Sequence, residues 1–151
     1  YDIAIDESLI YTGDISIEAG KWAADYFMDL SNPPDAIFAV EDFSALGVVK
    51  RLKEREIRIP EEVGVIGFAN EDFDEHITPS LSSIDQQTVQ MGREAFSMLL
   101  KLIEGKNAKT NSISKIVLEP IPHFRESTSR LNLNNTGVGL PAKESVGILK
   151  T

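Results

Sequence analysis

The feature that most constrains the fold of this chain is an alternation between short apolar runs and segments of helical periodicity. Apolar runs at 36–40 and 63–68 are typical of strands that are buried on both faces of a sheet. Apolar residues at helical spacing lie between these runs, over 42–55, and before them, over 16–30, where Ser16 is the predicted N-cap. Because strands joined by crossing helices pair in parallel, the pattern predicts an α/β fold with a doubly wound parallel sheet.

The remaining elements are less regular. Residues 81–84 are predicted to be extended, as is a short run at 10–12 near the start. A long third helix is expected over 91–104, and a strand over 113–119 that Pro120 and Pro122 end or bend. There is no internal repeat, so the pattern does not indicate a repeat protein.

Composition excludes several classes of function. The 151-residue chain has no cysteine, which removes disulfides, thiolate nucleophiles and cysteine-ligated metal centres. Its net charge of −9 argues against direct contact with nucleic acid, because neutralising phosphates needs clustered lysine and arginine. No apolar run approaches the roughly 18 residues of a membrane span, and no signal segment opens the chain, so no membrane role is expected.

The composition changes near Arg130. Residues 131–151 are rich in asparagine and glycine and carry few charged side chains, which is typical of a linker or a mobile terminus. We therefore predict one domain over 1–130 and a flexible tail over 131–151.

Polar residues follow each predicted strand, at the edge where open α/β sheets bind their ligands. Short polar side chains at four strand ends would form a hydrogen-bonding rim for a small polar molecule. The residues in these places are Gly13, Asp14, Glu41, Asp42, Ala69, Asn70, Glu71, Asp72, Asp85, Gln86 and Gln87. Any one of the aspartates could instead cap a helix. Adjacent residues point in different directions, which argues against a catalytic proton shared by Glu41 and Asp42.

Motifs for metal binding and catalysis are weak. His76 and His123 are the only histidines, and neither has a second histidine at ligand spacing. The acidic cluster at 71–75 lacks the glycine-bearing pattern of a calcium loop, so we expect a solvated acidic loop. There is no nucleophile elbow and no phosphate-binding loop. We therefore expect no catalytic residue, no metal and no cofactor.

A more specific resemblance lies in six segments that occur in one order along the chain. They are DAIFAVED (35–42), ALGVVKRLKE (45–54), RIPEEVGVIGFAN (58–70), TPSLSSIDQQ (78–87), MGREAFSMLLKLIEG (91–105) and FREST (124–128). Together they resemble the effector-binding domain of the LacI/GalR family of bacterial transcription regulators, over about residues 8–128. The pairing of the third segment with the fourth is more typical of these repressors than of free periplasmic sugar receptors.

The resemblance implies a truncated lobe of the periplasmic-binding-protein type I kind. In that family two lobes hold a small effector between them, and a helix-turn-helix headpiece binds operator DNA as a dimer. This chain would supply most of the C-terminal lobe and would cross into the N-terminal lobe over about 88–120, with crossings near 86–88 and 120–123. The implied function is a cytoplasmic sensor of a small polar effector, most simply a carbohydrate, which acts on DNA through a headpiece that this sequence lacks.

The resemblance also assigns effector contacts, position by position. They are Tyr11, Asp14, Glu41, Asp42, Ala69, Asn70 and Gln86. Glu41 stands where asparagine is usual, and Ala69, which cannot hydrogen-bond, stands where an aspartate often receives sugar hydroxyls. No arginine lies near Tyr11, which favours a hydroxyl-rich or cationic effector over an anionic one. Glu56 occupies a helix-ending position normally held by glycine, where left-handed geometry costs about 1 kcal/mol.

Two other classes of function stay open on the sequence alone. A periplasmic sugar-binding receptor of a transporter shares the lobe architecture but would need an export signal. An enzyme on a doubly wound fold would show turnover on a panel of sugars. If the chain is instead part of such a regulator, the apolar face of the helix over 91–104 lacks its partner lobe, so we expect a homodimer or a higher self-association.

Overall fold

The structure is a computed structural model that describes residues 4–104 and 115–130. Its helices are α1 (Ile17–Met28), α2 (Asp42–Glu54) and α3 (Thr88–Ile103), and its strands are β1 (Ala36–Phe38), β2 (Gly64–Ile66), β3 (Ser83–Asp85) and β4 (Ile121–His123). The predicted tail over 131–151 lies outside the described residues, as does the beginning of the strand predicted over 113–119.

Parallel pairing organises the centre of the molecule. β1 and β2 run in parallel with Ile37 opposite Val65, and the Ala39 amide continues the ladder by donating to the Ile66 carbonyl at 2.9 Å. A parallel bridge between Ile66 and Ser82 then joins β2 to the segment that leads into β3. The three segments therefore lie side by side and point the same way, which confirms the predicted α/β fold with parallel strands.

The first two helices each begin after a side-chain cap. The Ser16 hydroxyl accepts a hydrogen bond from the Ala19 amide at 3.1 Å, and the Glu41 carboxylate accepts one from the Ser44 amide at 3.1 Å. Each cap satisfies a backbone donor that the first helical turn leaves unpaired. α1 thus starts after Ser16, as expected.

α2 ends at the left-handed residue that the sequence predicts. Glu56 has φ 61°, its amide donates to the Lys53 carbonyl at 3.0 Å, and the Ile57 amide donates to the Leu52 carbonyl at 2.9 Å. These two bonds form a Schellman motif, which pairs the last carbonyls of the helix. The motif is present although glutamate, unlike glycine, is sterically disfavoured in this conformation.

α1 and α2 approach each other closely at two glycines. A Cβ atom on Gly20 would lie 2.0 Å from the Ser44 carbonyl oxygen, and one on Gly47 would lie 2.0 Å from the Ile17 carbonyl oxygen. The two backbones are therefore in contact, and a side chain at either glycine would push the helices apart.

The hydrophobic core lies on one face of the sheet. Side chains from α1 and α2 form a single buried cluster with Ile37, Ala39 and Val65. On the other face of the first strand, Phe38 is 55% exposed and Val40 is 66% exposed. The prediction that this strand is buried on both faces is wrong for the described chain, because both helices pack in the cluster on the Ile37 side.

The predicted strand at 10–12 is not formed. Ile10 has extended backbone (φ −116°, ψ 116°), but no backbone ladder joins this run to another segment of the described chain. A strand needs a neighbour to pair its amides and carbonyls, and extended geometry alone does not supply one. The ring of Tyr11 instead packs on Tyr26 and Phe27, with centroids 5.5 and 6.4 Å apart.

The predicted strand at 113–119 is also wrong over its described part, since 115–119 has no regular structure. The strand instead follows as β4, which pairs antiparallel with β3 and places His123 opposite Ser83. Pro122 was expected to end a strand, yet it lies inside β4. A proline is tolerated there because β4 pairs on one side only within the described chain.

α3 covers its predicted range but buries none of its residues within the described chain. Its apolar side chains Phe96 and Ile103 are 62% and 72% exposed. The assignment of residues 88–120 to a second lobe stays a prediction.

Candidate functional site

The carboxyl ends of three parallel segments meet along one edge of the sheet. After β2, the Gly67 amide donates to the Ser82 carbonyl at 2.9 Å, and the Ala69 amide donates to the Ile84 carbonyl at 3.0 Å. On the other side of β2, the backbone leaves β1 through Val40 and turns into α2. The predicted rim residues at 41, at 69–70 and at 86 therefore follow neighbouring strands at one edge, which is where α/β sheets bind ligands.

Glu41 and Asp42 lie at the start of α2 and have different roles. One carboxylate oxygen of Glu41, Oε2, caps the helix by accepting from the Ser44 amide. Asp42 is fully buried, and its two oxygens accept from the Ser83 hydroxyl at 2.7 Å and from the Glu71 amide at 3.0 Å. Within the described chain its carboxylate is thus fully hydrogen-bonded and holds the rim from below, which argues against the predicted direct contact of Asp42 with an effector.

Gly67 leaves the space that the Asp42 carboxylate occupies. A Cβ atom at this position would lie 2.0 Å from Asp42 Oδ1, so any other residue would displace the buried carboxylate. The glycine that follows β2 is thus explained by close approach of a buried side chain.

Ala69 and Asn70 form a strained turn at the end of β2. Their φ angles are 141° and 59°, in a region that asparagine tolerates better than alanine does. The Asn70 amide donates to the Ser83 hydroxyl at 3.0 Å, and that hydroxyl in turn donates to Asp42. One buried serine therefore joins the turn to the carboxylate beneath it.

The Arg125 side chain fixes the outer part of the same turn. Its Nη2 donates to Asn70 Oδ1 at 2.8 Å and to Glu75 Oε1 at 3.0 Å, and its Nη1 donates to the Leu81 carbonyl at 2.8 Å. The side chain is only 12% exposed. A residue just after β4 thereby holds the segment between β2 and β3.

Asp74 corrects the expectation of a solvated acidic loop. It lies on a short 3-10 helix at Asp72–Glu75, is fully buried, and makes no side-chain hydrogen bond within the described residues. Burial and, next, the neighbouring Asp42 carboxylate raise its pKa to about 7, against the attraction of Arg125, whose Nη1 lies 3.9 Å from Asp74 Oδ2. Two buried carboxyls thus share the base of the site.

Gln86 follows β3 directly, at the predicted first crossing. It is half-buried, and its side chain makes no hydrogen bond to the described residues, so its amide is free to bind a ligand. The next residue, Gln87, has φ 57° and donates from Nε2 to the Glu119 carbonyl. The two predicted crossing segments therefore lie side by side, joined by this contact and by the β3–β4 pair.

Tyr11, Gly13 and Asp14 lie at a neighbouring place. With parts of α1 and β1 they line a cavity of about 450 Å³, in which most of the lining groups are apolar. Asp14 is exposed, whereas the ring of Tyr11 belongs to an aromatic cluster. The residues at 69–70 and Gln86 do not line this cavity, so the predicted contacts divide into two groups.

Three residues of the site were missed from the sequence. Ser83 and Asp74 carry no local signal, because only the fold shows that they are buried next to Asp42. Arg125 lies in the FREST segment, which contributed to the resemblance but had no assigned role. The presence of an arginine in that short segment of a mostly acidic chain was the one signal that pointed to it.

Within residues 4–104 and 115–130 no group of three or more histidines or carboxylates is placed to hold a metal ion. None of the helices in this part of the chain is long and apolar enough to cross a membrane. The rim consists of amide, carboxylate and backbone groups, whose chemistry is that of hydrogen-bonded ligand recognition.

The family description of a periplasmic binding protein-like domain matches residues 4–128. The HTH-type transcriptional repressor PurR of Vibrio atlanticus (strain LGP32) is 34% identical over 132 residues, which are 87% of this chain and 38% of PurR. The HTH-type transcriptional repressor CytR of Escherichia coli (strain K12) is 36% identical over 110 residues, which are 73% of this chain and 32% of CytR. The chain thus spans less than two fifths of the length of these relatives.

Solved structures agree with this grouping. The complex of the transcriptional regulator CelR with cellobiose matches at a TM-score of 0.74 and 33% identity, over 83% of this chain and 37% of CelR. A regulatory protein of the LacI family from Chloroflexus aggregans matches at a TM-score of 0.75 and 27% identity, over 84% of this chain and 45% of that protein.

The chain belongs to the periplasmic binding protein-like domain family. Within that family it corresponds to part of the effector-binding domain of LacI-family transcription regulators, which confirms the resemblance found in the sequence.

Proposed function

We propose that this chain is the effector-sensing part of a transcriptional repressor and that it binds a small polar molecule, a sugar or sugar derivative, at the strand-end edge. The observation that carries the proposal is the rim itself: Glu41, Asn70 and Gln86 follow neighbouring strands at one edge of the sheet. The relatives of this chain are transcriptional repressors. The neighbour CelR, solved with cellobiose, supports a carbohydrate effector.

The rim residues make different kinds of contact with the ligand. Glu41 uses Oε2 to cap α2, which leaves Oε1 to accept from a ligand hydroxyl. Gln86 offers both a donor and an acceptor, and Ala69 offers an apolar contact. Asp42, Ser83 and the other buried groups hold these side chains in place and do not touch the ligand. Such a rim suits a neutral, hydroxyl-rich molecule.

Regulation would follow from binding between two lobes. The effector favours one arrangement of the lobes, and its differential affinity for the two arrangements changes the operator affinity of a helix-turn-helix headpiece that this sequence does not contain. Because operator DNA is the target, the complete protein would act in the cytoplasm. The proposal is one of binding without turnover, in line with relatives that are repressors.

A thermal-shift screen of the complete protein tests the proposal, with cellobiose, other sugars, sugar phosphates and nucleobases as probes. A ligand specific for the site raises the melting temperature by an amount that grows with the logarithm of its concentration above its dissociation constant. We expect a sugar to give the largest shift and Asn70→Ala to abolish it. Asn32→Ala, at an exposed asparagine away from the rim, is the matched control and should retain the shift. A shift that survives Asn70→Ala would contradict this assignment.

We also propose that the chain alone self-associates through α3. Its apolar side chains Phe96 and Ile103 are largely exposed, and a second copy would cover them. Light scattering at micromolar concentration should therefore give a mass above that of one chain, and Phe96→Glu should shift it towards the monomer. A clean monomer of the unaltered chain would count against this proposal.

A further inference from the structure

We propose that Arg125 is a positioning residue that fixes the side-chain amide of Asn70, so that the site presents an NH₂ donor, and not a carbonyl acceptor, to its effector. The inference rests on the proposed function of the strand-end edge and adds to it a residue that determines specificity.

The argument begins with the hydrogen-bonding capacity of the guanidinium group. Arginine has five N–H donors and no acceptor, whereas the side-chain amide of asparagine has one oxygen and one NH₂ group. Arg125 Nη2 lies 2.8 Å from Asn70 Oδ1. Rotating the amide by 180° would place its NH₂ against the cation and set donors against donors. The oxygen of Asn70 must therefore face Arg125.

The other end of the amide is then available. Asn70 Nδ2 makes no hydrogen bond to any described residue, and Asn70 is half-buried, so its NH₂ retains access from outside. Its position on the turn after β2 places it at the rim.

The backbones of Arg125 and Asn70 are themselves held in place by hydrogen bonds. The Arg125 amide donates to the Ser82 hydroxyl at 2.7 Å, and the Asn70 amide donates to the Ser83 hydroxyl at 3.0 Å. Nη1 of Arg125 is fixed on the Leu81 carbonyl at 2.8 Å. The amide is thus oriented before a ligand arrives, and binding does not have to order it.

The consequence is a preference in ligand chemistry. A fixed NH₂ donor selects a molecule with an oxygen or nitrogen acceptor at this point, such as a hydroxyl or carbonyl oxygen. A ligand that lacks the acceptor would cover this donor and leave it unpaired, which is strongly disfavoured. The adjacent Ala69 cannot compensate, since its side chain has no polar atom.

A nuclear magnetic resonance experiment without ligand tests the orientation. The Asn70 NH₂ protons should differ in shift and exchange from those of the exposed Asn32. Arg125→Met, which removes all the donors, should move the Asn70 signals towards those of Asn32, and Arg125→Lys should move them part of the way. Arg58→Lys, at an exposed arginine, is the control and should leave them unchanged. If Arg125→Met does not fold, the lysine variant decides: unchanged Asn70 signals overturn the proposal.

Calorimetry of cellobiose with the complete protein tests the donor role. Asn70→Asp retains an oxygen for Arg125 but replaces the NH₂ donor by an acceptor, so cellobiose affinity should fall at least tenfold. Unchanged affinity would overturn the donor role. If cellobiose does not bind the unaltered protein, the proposed function is contradicted for cellobiose as the effector. The resonance experiment still decides the orientation of the Asn70 amide.

Discussion

Replacing Asp74 by asparagine should change how the stability of the fold depends on pH. Asp74 is fully buried beside Asp42, and neither of its oxygens has a hydrogen-bond partner among the described residues. Burial first, and the Asp42 charge second, raise its pKa from 3.8 to about 7, so the folded state holds this proton more tightly than the unfolded state does. Stability is therefore lost as the pH rises from about 4 towards 7, and the full penalty is present above 7.

The size of the effect follows from the shift. One pKa unit corresponds to about 1.4 kcal/mol, so a pKa that moves from 3.8 to about 7 costs about 4 kcal/mol of folding free energy at pH 8. The asparagine of the Asp74→Asn variant cannot ionise and keeps the shape of the side chain, and its NH₂ group can donate to Asp42. The variant should therefore gain about 4 kcal/mol relative to the unaltered chain between pH 4 and pH 8.

Urea unfolding of both proteins at several pH values measures this difference. Other carboxyls act in the opposite direction, such as Asp25, whose pKa is lowered by its hydrogen bond from Arg51, but they cancel when the two proteins are compared. Asp72→Asn, at an exposed carboxylate on the same short helix, is the control, and its difference in unfolding free energy from the unaltered chain should not vary with pH. If the difference for Asp74→Asn does not vary with pH either, the reasoning is refuted.

Three further predictions test local features of the fold, the first of them with a control substitution. Gly20→Ala should lower the free energy of unfolding in urea by at least about 2 kcal/mol, because its methyl group meets a backbone carbonyl. Gly92→Ala, with open space around it, is the control and should raise that free energy by up to about 1 kcal/mol. Equal effects of the two substitutions would contradict the close helix crossing. Glu56→Gly should stabilise the chain by about 1 kcal/mol, since φ 61° suits glycine, and an unchanged or lower melting temperature would speak against this. Ser83→Ala should cost about 2 kcal/mol and speed hydrogen exchange at the Asn70 amide, because the buried Asp42 carboxylate and the half-buried Asn70 amide each lose a bond. Unaltered exchange would exclude the bridging role of Ser83.

Local signals made much of the fold predictable. Ser16 begins α1, Glu41 precedes α2 and Glu56 ends it in a left-handed turn, because caps and helix ends depend on a few adjacent residues. Strands were harder, since a strand exists only where a neighbour pairs with it. The runs at 10–12 and 115–119 have suitable sequences, yet the described chain gives them no ladder.

For the candidate site too, local features were predictable from the sequence and long-range contacts were not. Strand-end position was enough to find Asn70 and Gln86 along one edge. It could not show that Asp42 turns inwards, because that depends on Ser83, which lies far along the chain. Arg125 is 55 residues from Asn70, and only the return through β4 brings the two together. Contacts at such distances are set by the topology and leave no periodic pattern in the sequence.

The most direct test of the central claim is the affinity of the complete protein for its operator DNA, measured by fluorescence anisotropy with and without a saturating sugar identified in the thermal-shift screen. Coupling between two sites commonly changes affinity by about 5- to 150-fold. We expect a change in this range that Asn70→Ala removes without altering the operator affinity of the sugar-free protein. An operator affinity that stays the same when the sugar is bound would contradict the account.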